Sequence, residues 1–433
     1  MSSAIVLFTR DLRVHDHPGL TAASEYDAIV PLFVFDDALL RDAGRPNRLR
    51  FLLDSLTDLR ESLRRRGADL IVRRGDVVEQ TVAIARAAGA KTVFTGDNVS
   101  AYAQARTRKL QAELDVRVEQ TATALAPGEI VPEGRDHYRV FTPYWRRWQE
   151  EPLRPVLPAP RRVTVAPGID AGRLPELHEL AREQASDGLP AGGEGEARRR
   201  LERWLEDGLE TYDRSRDELA VDRTSRLSPY LHFGCISPVE TITRARLRGE
   251  VAGAFVRQLC WRDFYSQLLA ANPQTPREDL NPRRVAWNGD PEGLENWRRG
   301  TTGYPIVDAG MRQLHAEGWM HNRARLVVAS FLTRTLGIDW RHGAHTFAEL
   351  LVDADVANNV GNWQWVAGTG VDTRPNRAFN PITQAKRRDP DGDYVRRYVP
   401  ELAELAGPAV HEPWLAPLAS VAPEYPPPMP RAA

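Results

Sequence analysis

The feature that most constrains this chain is a change of hydrophobic period part-way along it. From Ala4 to about Thr121, short apolar runs alternate with amphipathic stretches. AIVLFT, AIVPLFVF, DLIVRR, KTVFTG and VRVEQT have the length and β-branched content of strands, whereas NRLRFLLDSLTDLRESLRRRG, DVVEQTVAIARAAGA and AYAQARTRKLQAEL repeat their apolar residues at helical spacing. Strands separated by such helices predict a parallel, doubly wound α/β domain over residues 1–126. After about Glu196 strand signals vanish and helical periodicity runs on to about Leu405, with helix starts marked by Ser-Pro at 228–229 and 237–238 and by Asp-Pro at 290–291. This predicts an all-helical domain over 196–410. The intervening residues 127–195 are rich in Pro, Gly, Glu and Arg and read as an interdomain linker, except that HYRVFTPYWRRWQ carries five aromatics and is expected to pack onto a domain. Residues 411–433 are Pro-rich and predict a disordered tail.

A chain of 433 residues exceeds what one core normally supports, in line with two domains. Its net charge of −1 names no partner, and Lys occurs only at 91, 109 and 386, so a phosphate-binding face would have to be local and built from Arg. Cys235 and Cys260 are too few and too far apart for a disulfide framework or a thiolate metal site; no metal is expected, and a reducing cytoplasm suits them. No apolar run approaches about 18 residues, and no basic region followed by an apolar core opens the chain, so neither membrane nor secretion is indicated. FTRDLRVHDHPGL, not GxGxxG, follows the first strand, which argues against a dinucleotide there.

Two stretches carry chemistry. DADVANNVGNWQW, Asp353 to Trp365, places carboxylates, consecutive carboxamides and tryptophans in a segment flanked by apolar residues. Buried polar groups persist only with partners, so this is either an internal network at a helix end or the lining of a pocket for a flat heteroaromatic ring with a polar edge. TSRLSPYLHFG, 224–234, sets hydroxyls and an Arg before a Ser-Pro helix start, which can be a plain cap or a phosphate site.

These segments, together with FTRDLRVHDHPGL, QLCWRDFY, GYPIVDAGMRQLHAEGWMHNRARLVVASFLTRTLGIDW and FNPITQ, closely resemble the photolyase and cryptochrome family over nearly the whole chain. The resemblance is strongest to bacterial cyclobutane-dimer photolyases. It implies FAD in the helical domain, UV-damaged DNA as partner, and a monomer. Tyr212, Thr224, Ser225, Arg226, Leu227 and Ser228 match contacts to the flavin diphosphate. Asn322, Arg325, Asp353 and Asp355 match residues around the ring and ribityl chain, and Asn358 the one facing flavin N5. Pairing of Arg325 with Asp353 is a further expectation. Trp287, Trp340 and Trp363 match the family's electron-transfer chain, which no spacing could reveal. Trp261 and Trp365 match the aromatic pair that receives flipped bases, and Arg323 and Arg377 sit in motifs that face DNA phosphates.

There are departures from the family pattern. Gln258 stands where cyclobutane-dimer enzymes usually place Glu, a feature closer to (6-4) photoproduct enzymes and animal cryptochromes; Leu326 occupies the position of the key His of (6-4) enzymes. The resemblance therefore favours cyclobutane-dimer repair, with a cryptochrome-like photoreceptor or a (6-4) photolyase as alternatives. RPNRLRF at 45–51 resembles the antenna domain, but VSAYAQARTRKL lacks the Asn-Glu pair used for methenyltetrahydrofolate, which leaves open that chromophore, an 8-hydroxy-5-deazaflavin, or none.

Overall fold

The computed structural model describes residues 2–41, 45–282, 286–371, 378–416 and 424–430. The chain forms two compact units, one of Met1–Gln184, Pro190–Glu210 and Ser225–Pro273, the other of Ala185–Leu189, Thr211–Thr224 and Gln274–Ala433.

The first unit is built on a five-stranded parallel sheet of β1 (Ser3–Leu7), β2 (Ala28–Asp36), β3 (Ile71–Gly75), β4 (Thr92–Gly96) and β5 (Asp115–Glu119) in the order β3-β2-β1-β4-β5. Ala4 stands opposite Ile29 on β2 and Thr92 on β4. β1 and β2 are buried along their whole length, which is why they read as continuous apolar runs rather than alternating ones. Edge strand β5 is mostly exposed and correspondingly polar. Helices between strands begin where the sequence supplies caps: Asp76 accepts from the backbone N–H groups of Val78 and Glu79, and Ser100 from that of Ala103. Fold class follows expectation, and among the described residues every regular element after β5 is helical.

Where the units divide differs from the sequence reading. Residues 225–273, expected in the helical domain, belong to the compact unit that holds the sheet. The FTRDLRVHDHPGL loop is one reason. Arg13 is 1% exposed, and its guanidinium donates to the carbonyls of His15, Asp16 and Gly234; the Leu12 N–H donates to the Phe233 carbonyl. Gly234, at φ +67°, approaches the Arg10 carbonyl too closely for any Cβ. The stretch read as a linker also docks, with Ile29 and Val72 donating backbone hydrogen bonds to Thr164 and Ala171, while the Phe141–Glu150 helix buries Phe141, Tyr144 and Trp148 as its aromatics led one to expect.

In the second unit, helices Pro305–Glu317, Asn322–Ser330, Trp340–Leu350 and Val356–Ala367 enclose a core that includes Trp297, Trp340 and Trp363. The expectation of a disordered tail fails over residues 424–430. Tyr425 is 7% exposed and donates to Asp308 Oδ2 at 2.7 Å, and the Met429 N–H donates to the Thr302 carbonyl at 2.9 Å. A tyrosine among prolines supplies an apolar ring and a hydroxyl to the buried Asp308 carboxylate, which also accepts from the Thr302 hydroxyl and from the backbone of Thr302 and Gly303.

Candidate cofactor pocket and DNA-facing residues

The Val356–Ala367 helix organises the site. Asp355 caps it, one carboxylate oxygen accepting both the Asn358 backbone N–H at 2.9 Å and the Asn358 side-chain amide at 2.7 Å. Asn358 is thereby held in one rotamer. One turn on, the Asn362 amide donates to the Asn358 carbonyl, and the Asn359 amide donates to the Ala344 carbonyl, fastening this helix to Trp340–Leu350. From the neighbouring Asn322–Ser330 helix, Arg325 donates to the Met320 carbonyl at 2.8 Å and to Asp353 Oδ2 at 2.8 Å, so the pairing expected from sequence is present.

Asn322, Arg325, Asp353, Asp355 and Asn358 all line one pocket, with about 500 Å³ of free space, part of it open to solvent. Leu326, Phe347, Leu351, Trp363 and Val366 supply apolar wall, and Asn359 and Asn362 further amides. Two buried polar atoms of this lining, Oδ1 of Asp353 and Nε1 of Trp363, have no hydrogen-bond partner among the described residues. Leaving such atoms unpaired costs about 1–3 kcal/mol each. Amides, carboxylates and a guanidinium set among apolar walls match a flat ring system with donors and acceptors on its edge, so the residues present fit a flavin.

Asn362, Phe347, Leu351 and Val366 were not singled out in the sequence. Asn362 could have been, since it lies four residues beyond Asn358 on the same helical face.

Trp363 is 2% exposed, edge-on to Phe347 at 5.0 Å and to Trp297 at 6.0 Å. Trp340 is fully buried in the same core, and Trp287 lies partly buried against it. Trp340 donates its Nε1–H to Asp279 at 2.8 Å.

Tyr212 and Thr224 belong to the second unit, and Ser225, Arg226, Leu227 and Ser228 open the 225–273 part of the first. Burial pushes the Tyr212 hydroxyl up to about 12, so it stays a neutral donor. Thr224 donates to Asp222 at 2.7 Å, and Arg226 holds φ +48°, a left-handed conformation rare for a residue with a Cβ. The Ser228–Phe233 helix starts without a side-chain cap.

In the first unit, Gln258 is exposed and lies three residues before half-buried Trp261 on the Gly253–Ala271 helix. Trp261 is stacked on Phe141, centroids 3.6 Å apart and 7° from parallel, with the Arg257 guanidinium over Phe141. In the second unit, half-buried Trp365 lies 6.1 Å from Phe379. Arg323 donates to Asp217 at 2.7 Å, and Arg388 bridges the other oxygen at 3.1 Å, so neither cation is uncommitted. Burial alone would raise the Asp217 pKa, but the hydrogen bond and charge of Arg323 outweigh it and the net shift is downward. Lys386 pairs with Glu412, while Arg387 is exposed. Arg377 lies outside the described residues. His321 is 1% exposed and pushed down to about 4 by burial, and its Nδ1 accepts the Arg323 backbone N–H. It is a neutral helix cap.

Two family profiles match this chain. One, described as the DNA photolyase domain, covers residues 4–161; the other, the FAD binding domain of DNA photolyase, covers residues 255–432. The chain belongs to the DNA photolyase family. The deoxyribodipyrimidine photo-lyase of Streptomyces griseus is 52% identical over 426 residues, which span 96% of this chain and 93% of that protein. Among solved structures, a Synechocystis cryptochrome superposes with a TM-score of 0.91 at 31% identity, covering 99% of this chain and 96% of its own. A Sulfolobus tokodaii photolyase, solved with two FAD molecules, gives 0.86 at 29% identity over 99% and 96%. The pocket of the Val356–Ala367 helix thus falls within the family's FAD-binding domain.

Proposed function

We propose that this photolyase-family chain repairs cyclobutane pyrimidine dimers in DNA by light-driven electron transfer. The observation that carries the reading is the pocket whose lining brings the amides of Asn322, Asn358, Asn359 and Asn362 together with the Arg325–Asp353 pair. Bound there and fully reduced, FAD would lend on illumination the electron that opens the cyclobutane ring and would take it back once the ring has split. Everything else is the work of the chain. Arg325 and the neutral amide of Asn358 stabilise negative charge on the ring edge, Asn322, Asp353 and Asp355 bind its polar groups, and Tyr212 and Thr224 of the same unit bind the diphosphate. Trp363, Trp340 and Trp287 serve as an electron relay. Trp261 and Trp365 each offer a ring face to a flipped base, and such stacking is worth about 1–3 kcal/mol per base. Gln258 hydrogen-bonds the lesion's polar edge.

Two features favour the cyclobutane dimer over the (6-4) photoproduct. Leu326, which cannot exchange a proton, lines the pocket where a (6-4) enzyme would need His, and His321 is already engaged as a buried cap. For an antenna, whether methenyltetrahydrofolate, a deazaflavin or a second FAD, the carboxyl ends of β1, β2 and β4 are the natural place, since β1 and β4 flank the switch point of the sheet. Tyr102 there donates to Asp36. We take the enzyme to be a cytoplasmic monomer, which suits two buried free cysteines.

A second reading, a cryptochrome-like photoreceptor, draws on the likeness to the Synechocystis protein. The two separate in one experiment: reduced, FAD-loaded protein is illuminated with oligonucleotides carrying one lesion, and remaining lesions are counted. Loss of cyclobutane dimers only under light is expected. No light-dependent loss would favour the receptor.

A further inference from the structure

We propose that Asp279 lowers the oxidation potential of Trp340 and so draws an electron hole from Trp363 outward. This deepens, and rests on, the reading of these tryptophans as a relay. The two indoles are both buried yet differ in one respect. Trp340, fully enclosed, donates its Nε1–H to the Asp279 carboxylate at 2.8 Å; the Nε1–H of Trp363 meets no carboxylate among the described residues. Removing an electron from an indole leaves positive charge on the ring and sharply polarises its N–H. A carboxylate on that N–H stabilises the oxidised ring far more than the neutral one, and most strongly where water is scarce. The Asp279 side chain is 16% exposed, so solvent screens it only in part.

Arg341 acts in the opposite sense. Its guanidinium lies 4.8 Å from the centre of the Trp340 ring, on its face, which favours the neutral ring over the cation. It is bound at 2.9 Å to Asp279 and at 3.0 Å to Asp339, so the group as a whole carries two negative charges against one positive. The balance favours the hole on Trp340. In the step itself one electron leaves the Trp340 indole for the oxidised indole of Trp363, which returns to its closed shell; the Nε1 proton of Trp340 stays on nitrogen, held by Asp279. An electron from Trp287 then restores Trp340. The initial oxidant is a photoexcited isoalloxazine. Asp279 exchanges neither electron nor proton and acts only through its hydrogen bond to Trp340, which makes it a positioning residue.

The test compares wild type with Asp279→Asn, Asp279→Glu, Arg341→Gln and Trp340→Phe, all loaded with oxidised FAD. Asp279→Asn keeps an acceptor but removes its charge, which predicts a roughly tenfold or greater fall in the yield of long-lived tryptophan radical after a flash, with recovery in Asp279→Glu. Arg341→Gln should raise that yield. A readout independent of flavin is the indole N–H proton resonance of Trp340, which should move upfield in Asp279→Asn and return in Asp279→Glu. Wild-type radical yield in Asp279→Asn together with loss in Trp340→Phe would overturn the role of Asp279. Wild-type yield in Trp340→Phe would overturn the relay instead. Should Asp279→Asn fail to fold, Arg341→Gln decides, since a lowered yield there contradicts the assigned sign.

Discussion

Gly343 lies so close beneath the indole of Trp363 that the first carbon of any side chain would overlap the ring. This glycine sits inside the Trp340–Leu350 helix, where it weakens the helix by about 1 kcal/mol relative to Ala; the close approach of Trp363, which forms part of the pocket wall, accounts for its presence. Gly343→Ala should therefore destabilise the protein by about 1–3 kcal/mol despite the better helix propensity, because overpacking outweighs it. Displacing Trp363 should also loosen FAD. Thermal unfolding and the flavin retained after gel filtration measure both, and an Ala variant more stable than wild type would contradict the contact.

How much of this was legible beforehand depends on the range of the interaction. The five strands, the helical half and the Asp353–Trp365 stretch were legible because periodicity and capping are local. The unit boundary was not, because it is set by contacts such as Arg13 to Gly234, more than two hundred residues apart in sequence. Arg323, read as a phosphate contact, proved to be bound by Asp217 for the same reason. Tyr425 sits in a composition that signals disorder, yet its buried ring, its hydrogen bond to Asp308 and the backbone bond from Met429 to Thr302 dock its segment. Nor could the spacing of Asp279 and Trp340, sixty-one residues, suggest a hydrogen bond.

Two buried groups should give opposite pH dependence of stability between about pH 4 and 6.5. His321, pushed down to about 4, stays neutral in the fold while the unfolded chain takes up a proton near 6.5; its contribution is complete above that value and is lost as pH falls toward 4. Asp263 is pushed up to about 6 by burial, against the hydrogen bonds it accepts from Trp148, Ala124 and Leu125, so the fold holds its proton more tightly than the unfolded chain. Its contribution is present below about 3.8 and lost as pH rises through 6. Each shift corresponds to roughly 3 kcal/mol. His321→Asn, which keeps a capping acceptor, should remove the rise of stability with pH, and Asp263→Asn should remove the fall; denaturant melts across this window show which slope disappears.

DNA affinity should fall with salt although the net charge is only −1. Arg387 is exposed, whereas Arg323 is bound to Asp217. Arg387→Ala should reduce the slope of log affinity against log salt by about 0.9, the value of one phosphate contact, for damaged and undamaged DNA alike. Arg323→Ala should change the slope less. The reverse order in fluorescence-anisotropy titrations would mean that Arg323 exchanges Asp217 for a phosphate on binding.

Gln258 decides how the enzyme meets its lesion. It is exposed one turn before Trp261, so its amide and that indole project from one face of the Gly253–Ala271 helix. A Glu there could accept hydrogen bonds and, once protonated, donate toward the carbonyl that gains charge as the electron arrives. Gln keeps a donor and an acceptor in nearly the same volume but cannot transfer a proton. A developing anion needs a donor more than an acid, so Gln258 should sustain dimer repair with some loss of yield. Gln258→Glu should keep or raise that yield. Gln258→Leu leaves the lesion's polar edge unpaired, at about 1–3 kcal/mol, and should lower repair roughly tenfold while sparing affinity for undamaged DNA. The comparison is made on oligonucleotides carrying either lesion alone. Repair of the (6-4) photoproduct with none of the cyclobutane dimer would show that the amide at 258 outweighs the apolar Leu326, and would reassign the substrate.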